Sequence, residues 1–229
     1  MSAAGDAERL LRERIVATAL GMNASGINRA KAGNVSARWH AGDFDGFLIT
    51  PTGVDYERLA PDDIVAVTCE GEPRGRLAPS SEWRFHRDIY ATRSDAHAIV
   101  HTHAPFCTTL ACLDRGIPAF HYMVAVAGGR DIRCAPYATF GTQALADAAV
   151  GALAGRRACL LAHHGMIAIG ASLGRALRLA VEVESLAETY WRALQIGEPA
   201  TLPDDEMDRV LGRFAGYGQP LSQSPQESA

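Results

Sequence analysis

Apolar positions along the chain recur at two spacings, and each spacing predicts a different kind of element. Apolar residues three and four positions apart predict helices, of which the longest covers 172–195 and the others cover 6–22, 79–93, 105–113, 141–153 and 204–214. Apolar runs or alternations bounded by Gly, Pro or Asn predict strands at 34–38, 46–50, 64–68, 98–104, 158–162 and 166–169.

The order of these elements indicates the fold class. The early strands are separated by turns, at 39–47 and 71–75 among others, whereas the later strands alternate with helices. Turn-connected strands favour antiparallel or mixed pairing, and the helices must cover the faces of the sheet. We therefore expect an α/β fold with three α/β/α layers around a central mixed, largely antiparallel sheet. Residues 1–217 should form a single domain, followed by a polar tail at 218–229 that should be disordered.

Composition narrows the class of protein. Of 229 residues, 48% are apolar and 21% are charged, which is ordinary for a soluble globular chain. A net charge of −4 gives no reason to expect nucleic acid or an anionic membrane as a partner. No apolar run approaches the roughly 18 residues that span a bilayer. Five scattered cysteines without a C-x-x-C pair, and a beginning unlike a signal peptide, favour reduced thiols and a cytoplasmic location.

The strongest chemical signal is a pair of histidines, His101 and His103, in the predicted strand 98–104. Alternate strand residues project from the same face, so the two imidazoles would lie side by side as half of a zinc site. Alone, such a pair is equally typical of a half-exposed strand. His163 and His164 follow a distant strand, and as neighbours in a strand they would point to opposite faces, so that only one can join. Three imidazoles would leave one coordination position open, as in catalytic zinc sites.

A second cluster of polar residues opens the helix predicted at 79–93. Ser80 and Ser81 are ordinary N-cap residues, although the free N–H groups at a helix start also bind anions. Glu82 shares a helical face with the apolar stripe and is expected to point inward. Burial near an apolar surface would raise the pKa of its carboxyl group.

Seven short motifs in one order carry a family resemblance. They are Gly33-Asn-Val-Ser36, Thr50-Pro-Thr-Gly53, Pro79-Ser-Ser-Glu-Trp-Arg-Phe-His86, His101-Thr-His103, Ile117-Pro-Ala-Phe-His-Tyr122, Cys134-Ala-Pro-Tyr-Ala-Thr-Phe-Gly141 and His163-His-Gly165. Together they resemble the class II aldolase/adducin family, and most of all its L-fuculose-phosphate aldolases. The resemblance covers about residues 8–217.

The resemblance implies a role for each matching residue. One zinc ion per subunit would be held by His101, His103 and His164, leaving His163 a structural role. Glu82 would bind zinc in the empty enzyme and carry a proton once substrate binds, and Tyr122 would protonate the aldehyde oxygen. The positions that match the family's phosphate-binding residues are Gly33, Asn34, Thr52, Gly53, Ser80 and Ser81. Phe140 and Tyr217 would lie on the aldehyde side, with Tyr217 reaching a neighbouring subunit of a homotetramer whose sites lie at subunit interfaces.

The implied reaction is the reversible cleavage of a phosphorylated sugar. A ketose 1-phosphate of the L-fuculose 1-phosphate type would give dihydroxyacetone phosphate and L-lactaldehyde through a zinc-stabilised enediolate. Aldolases of 5-deoxyribulose or methylthioribulose 1-phosphate share all these residues, and a methylthioribulose-1-phosphate dehydratase has a related metal site. A pentulose-5-phosphate 4-epimerase typically has aspartate at the position of Glu82. A non-catalytic adducin-like binding protein would lack the histidines that this chain retains.

Overall fold

The computed structural model describes residues 3–215, so that Tyr217 and the predicted tail at 218–229 lie outside the described part of the chain. Its centre is one sheet whose strands are β1 (Asn34–Ala41), β2 (Phe44–Ile49), β3 (Val65–Thr68), β4 (Pro73–Arg74), β5 (Ala98–Thr102), β6 (Cys134–Ala135), β7 (Ala158–Leu161) and β8 (Gly165–Gly170). The strand order is β4-β3-β2-β1-β5-β8-β7-β6. Neighbours run antiparallel except for the parallel pair β6 and β7, which confirms the predicted mixed, largely antiparallel sheet.

Within residues 3–215, six helices accompany the sheet, close to the predicted segments. They are α1 (Ala3–Ala24), α2 (Trp83–Thr92), α3 (Pro105–Ala111), α4 (Gln143–Ala152), α5 (Leu173–Leu194) and α6 (Asp204–Ala215). Short 3-10 turns cover Tyr56–Arg58, Pro61–Asp63 and Tyr122–Ala127. Among the described residues, no helix is long and apolar enough to cross a membrane. The five cysteines are free thiols.

Each face of the sheet has its own apolar core. Val100 of β5 packs in the core that includes residues of α1, α3 and α5. Ile99, the preceding residue, packs in the opposite core with residues of α2 and α4. This is the alternation that a strand buried on both faces requires. The predicted three-layer α/β/α arrangement is therefore confirmed, and removal of both faces from water is the main force that holds it.

Three short features differ from the sequence prediction. The segment 39–47 is the end of a hairpin in which Ala41 pairs with Phe44, so β1 and β2 extend further than predicted. The expected turn at 71–75 contains β4, where Pro73 pairs with Val67. The two-residue strand β6 was not predicted, because two residues are too few to show a periodicity.

Candidate active site

Three histidines meet at one end of the central strands. His101 belongs to β5, His103 follows that strand, and His164 lies between β7 and β8. One ring nitrogen from each residue lies within 4.8 Å of the others, and the ring centroids are 4.8–5.1 Å apart. The prediction that His101 and His103 project from one face is confirmed.

The third histidine reaches the cluster from a turn. The prediction that His163 and His164 alternate along a strand is wrong, because residues 162–164 form the turn that reverses the chain into β8. His163 has a left-handed backbone with φ 54° and an exposed side chain, whose ring lies 5.9 Å from that of Tyr137. This conformation costs a non-glycine residue about 1–2 kcal/mol, and such local strain is frequent at functional sites. The turn directs His164, and not His163, to His101 and His103.

Glu82 lies against two of the three imidazoles. Its Oε1 is 3.2 Å from Nε2 of His164, and its Oε2 is 3.2 Å from Nε2 of His101. The residue is 7% exposed and directly precedes α2. The predicted helix start at Pro79 is wrong, because the Ser80 N–H donates to the carbonyl oxygen of Thr50 and holds this segment outside the helix.

The donor atoms of this cluster fit a divalent metal ion. His101 Nδ1 lies 2.9 Å from the carbonyl oxygen of Met166, which only accepts, so this nitrogen carries the ring hydrogen in the neutral imidazole. Nε2 then presents a lone pair to Glu82. Two acceptors 3.2 Å apart repel each other unless a proton or a metal ion lies between them. His101 Nε2 and Glu82 Oε1 are buried and have no hydrogen-bond partner among residues 3–215. Imidazole nitrogen and carboxylate oxygen are ordinary zinc ligands.

The charges in the cluster depart from the sequence prediction at Glu82. Burial raises the pKa of its carboxyl group, but the positive charge of His101 and His164 in their protonated forms, with hydrogen bonds from His101 and Asn34, outweighs burial and lowers it to about 2. The predicted raised pKa is therefore wrong for this arrangement, because the sequence shows the burial but not the partners. Burial and the proximity of His101 lower the pKa of both His103 and His164 to about 4. Both are neutral at pH 7, as metal ligands must be.

The residues predicted to bind phosphate come from three loops that the structure brings together. Thr52 N–H donates to the carbonyl oxygen of Ala78, and Pro51 pairs with Pro79, so the loop at 50–53 lies against the loop at 78–81. Asn34 joins them because its Nδ2 lies 3.0 Å from Ser80 Oγ. The exposed members are Thr52, Gly53 and Ser81, while Gly33 is half-buried and Asn34 and Ser80 are buried.

Phe140, predicted to lie on the aldehyde side, and Tyr122, the predicted proton donor, lie in two separate places. Phe140 lines the same cavity as His103, His164 and Glu82, with a volume of about 320 Å³. Tyr137 lines it too and was missed, because a single tyrosine in a loop carries no sequence signal. Tyr122 is 51% exposed and lies in another groove, of about 1110 Å³, beside α6.

Comparisons with known proteins match most of the chain to one family. Residues 13–191 match the family model described as Class II Aldolase and Adducin N-terminal domain. The chain is 60% identical over 208 residues to the 5-methylthioribulose-1-phosphate/5-deoxyribulose-1-phosphate aldolase of Rhodospirillum rubrum, covering 91% of this chain and 92% of that protein. It is 49% identical over 209 residues to the L-fuculose phosphate aldolase of Escherichia coli K12, covering 91% and 95%. A solved structure of an L-fuculose 1-phosphate aldolase superimposes with a TM-score of 0.84 at 39% identity, covering 90% and 96%.

Proposed function

The chain belongs to the class II aldolase and adducin family and is a class II aldolase; on that premise, we propose that it cleaves a ketose 1-phosphate with the help of zinc. The products are dihydroxyacetone phosphate and an aldehyde. The observation that carries the proposal is the contact of Glu82 with His101 and His164, at 3.2 Å each. It joins a carboxylate able to move a proton to a set of metal ligands, which are the two groups that this reaction needs.

We assign one zinc ion per subunit to His101, His103 and His164, with Glu82 as a fourth ligand before substrate binds. The fit of the donor atoms supports this set, since all three nitrogens lie within 4.8 Å of one another. When bound, zinc acts as a Lewis acid and stabilises the negative charge that develops on substrate oxygen atoms as the C3–C4 bond breaks.

Two side chains move the protons of the reaction. Glu82 gives a proton to C3 during cleavage and removes it again during condensation. With a pKa of about 2 this carboxyl group is ionised in the empty site, so it can accept the C3 proton during condensation and must take up a proton from solvent before it protonates C3 during cleavage. We assign to Tyr122 the proton of the C4 oxygen, which the substrate loses as the aldehyde forms.

The phosphate group of the substrate is proposed to lie on the three loops that contain Gly33, Gly53 and Ser81. Hydroxyl groups and backbone N–H groups bind phosphate without a lysine or an arginine. The exposure of Thr52, Gly53 and Ser81 next to the buried Ser80 supports this location.

The separate groove of Tyr122 supports a proposal about assembly. Because this residue is half exposed and lies apart from the histidine cavity of its own chain, it is available to the site of a second copy. We propose a homotetramer in which Tyr122 and Tyr217 complete the site of a neighbouring subunit.

We propose that the released aldehyde has no hydroxyl group and carries a methyl or methylthiomethyl group directly on its carbonyl carbon, as from 5-deoxyribulose or 5-methylthioribulose 1-phosphate. The higher identity to the Rhodospirillum rubrum relative, 60% against 49%, supports this choice over L-fuculose 1-phosphate, which the motifs alone had favoured. The exposed rings of Tyr137 and Phe140 in the cavity support it as well, because aromatic rings contact methyl and thioether groups favourably. L-lactaldehyde carries a further hydroxyl group, which needs a polar partner when it is buried.

A substrate panel tests the proposal. The zinc-loaded enzyme and a chelator-treated sample would be incubated with 5-methylthioribulose, 5-deoxyribulose and L-fuculose 1-phosphates and with L-ribulose 5-phosphate. We expect dihydroxyacetone phosphate from the first two at the highest kcat/KM, and none after chelation. Epimerised pentulose phosphate without dihydroxyacetone phosphate would refute the aldolase assignment. A higher kcat/KM for L-fuculose 1-phosphate would refute only the choice of aldehyde.

A further inference from the structure

A buried series of polar side chains leads from Glu82 into the core between α2 and the sheet. His86, one helical turn after Glu82, is completely buried. Its Nδ1 lies 2.7 Å from Ser36 Oγ, and its Nε2 lies 2.5 Å from Asn34 Oδ1. The ring of Phe85 stacks on the imidazole with 4.6 Å between centroids. The histidine of the Pro79–His86 motif therefore has a fixed ring and two polar contacts, yet it touches no proposed metal ligand through a hydrogen bond.

The positions of the hydrogens follow from the chemistry of the partners. A carboxylate only accepts, so the Asn34 atom that lies 2.9 Å from Glu82 Oε2 must be the amide nitrogen. The same nitrogen donates its second hydrogen to Ser80 Oγ, at 3.0 Å. Oδ1 of Asn34 is then the atom that faces His86. Because an amide oxygen also only accepts, Nε2 of His86 must carry a hydrogen.

This donor specifies which end of the Asn34 amide faces Glu82. In the present orientation, the Asn34 oxygen accepts a hydrogen bond from Nε2–H of His86, and turning the amide round would break that bond. Without Nε2–H this penalty disappears, and the amide is free to turn round. The reversed amide would place its oxygen against Oε2, and two buried acceptors in contact are unfavourable. His86 therefore stabilises the orientation in which Asn34 donates to Glu82.

The same contact makes the two carboxylate oxygens of Glu82 unequal. Oε2 accepts the hydrogen bond from Asn34, whereas Oε1 has no hydrogen-bond partner within residues 3–215. A hydrogen bond to a carboxylate oxygen stabilises its charge and makes it a weaker base. Oε1 is consequently the more basic oxygen.

We propose that His86 is a positioning residue that acts through Asn34 to hold Glu82 with Oε1 as the oxygen that moves the C3 proton. The inference rests on the proposed role of Glu82 in proton transfer. The hydroxyl of Tyr90, 2.7 Å from Ser36 Oγ, borders this series but contacts neither Asn34 nor Glu82 through a hydrogen bond.

The test is the exchange of the C3 hydrogen of dihydroxyacetone phosphate with deuterium from solvent, followed by NMR on the zinc-loaded protein. This half-reaction needs Glu82 but no aldehyde, so it is independent of the aldehyde assignment. His86→Gln places an amide N–H where Nε2 lies, whereas His86→Asn places one where Nδ1 lies, too far from Asn34. We expect His86→Gln to retain most of the exchange rate and His86→Asn to lower it about tenfold to a hundredfold.

Three further measurements separate positioning from general destabilisation. Tyr90→Phe removes a buried hydroxyl nearby and should lower the Tm without changing the exchange rate. In an Asn34→Ala background, His86→Asn should have little further effect, because its influence passes through Asn34. Zinc content, measured by atomic absorption, should be equal in the wild type and both His86 variants.

Several results would overturn the assignment. Equal losses in His86→Gln and His86→Asn, or additive losses with Asn34→Ala, would show that His86 does not act by donating to Asn34. Loss of zinc from His86→Asn alone would show that the residue supports the metal site instead. Absence of exchange in the zinc-loaded wild type would overturn the proposed function itself, and this assignment with it.

Discussion

Gly33 is not part of the histidine cluster, but a methyl group added there should disturb the cluster through the backbone of His101. It has a left-handed backbone with φ +76°, and a Cβ here would lie 2.4 Å from the carbonyl oxygen of His101. Gly33→Ala should cost about 1–2 kcal/mol for the backbone conformation and about 1–3 kcal/mol more for the steric conflict. The second cost is unavoidable because the opposing atom belongs to the backbone of β5, so the strand itself has to move.

Gly26→Ala is the matched control. Gly26 has the same φ of +76°, but its Cβ would meet no atom within 4 Å, so this variant should show only the backbone cost. Urea denaturation of the metal-free proteins should place Gly33→Ala below Gly26→Ala by about 1–3 kcal/mol in free energy of unfolding. Zinc titration should show weaker binding only for Gly33→Ala, because the displaced strand carries His101. Equal stability and equal zinc affinity in the two variants would refute this reasoning.

Three other predictions concern the surroundings of the site. Glu184 accepts hydrogen bonds from the N–H groups of Phe106 and Cys107, at 2.8 Å each, so Glu184→Gln should lower the free energy of unfolding by about 1–3 kcal/mol in a denaturant titration; an unchanged value would contradict this. Burial, and then the proximity of His101, lowers the pKa of His86 to about 3. Between about pH 6.5 and pH 3 the unfolded state therefore binds more protons than the folded state, and the free energy of unfolding falls as the pH falls. Denaturation between pH 7 and 4.5 should therefore show a shallower pH slope for His86→Gln, and an identical slope would be evidence against it. Phe140→Ala should raise the KM for the aldehyde in the condensation direction about twofold to tenfold. It should leave the exchange of the C3 hydrogen of dihydroxyacetone phosphate unchanged, and a change in that exchange would contradict the location of Phe140 on the aldehyde side.

The regular part of the fold could be predicted because long elements repeat their pattern many times. The alternation of Ile99 and Val100 between two cores, and the length of α5, follow directly from periods of two and 3.6 residues. The short strands β4 and β6 lack such repetition, since each has two residues. They form because tertiary pairing places them beside a longer strand.

The candidate site was predictable only in part, for a similar reason. The common face of His101 and His103 follows from local geometry, whereas the choice of His164 over His163 depends on a left-handed turn that no local pattern indicates. The pKa of Glu82 depends on partners far away in the sequence, and burial alone predicted the wrong direction. The position of Tyr122 also could not be predicted from local sequence. Within a single chain it lies in a groove separate from the histidine cavity.

The most direct test of the account is Glu82→Gln in the zinc-loaded enzyme. In the wild type, Nδ2 of Asn34 lies 2.9 Å from Oε2 of Glu82. Glutamine keeps the size of the side chain, and its carbonyl oxygen can accept the same hydrogen bond. The account predicts a folded protein that retains zinc on three histidines but cleaves a ketose 1-phosphate about 10²–10⁴ times more slowly. Undiminished cleavage by this variant would contradict the assignment of Glu82 as the group that moves the proton.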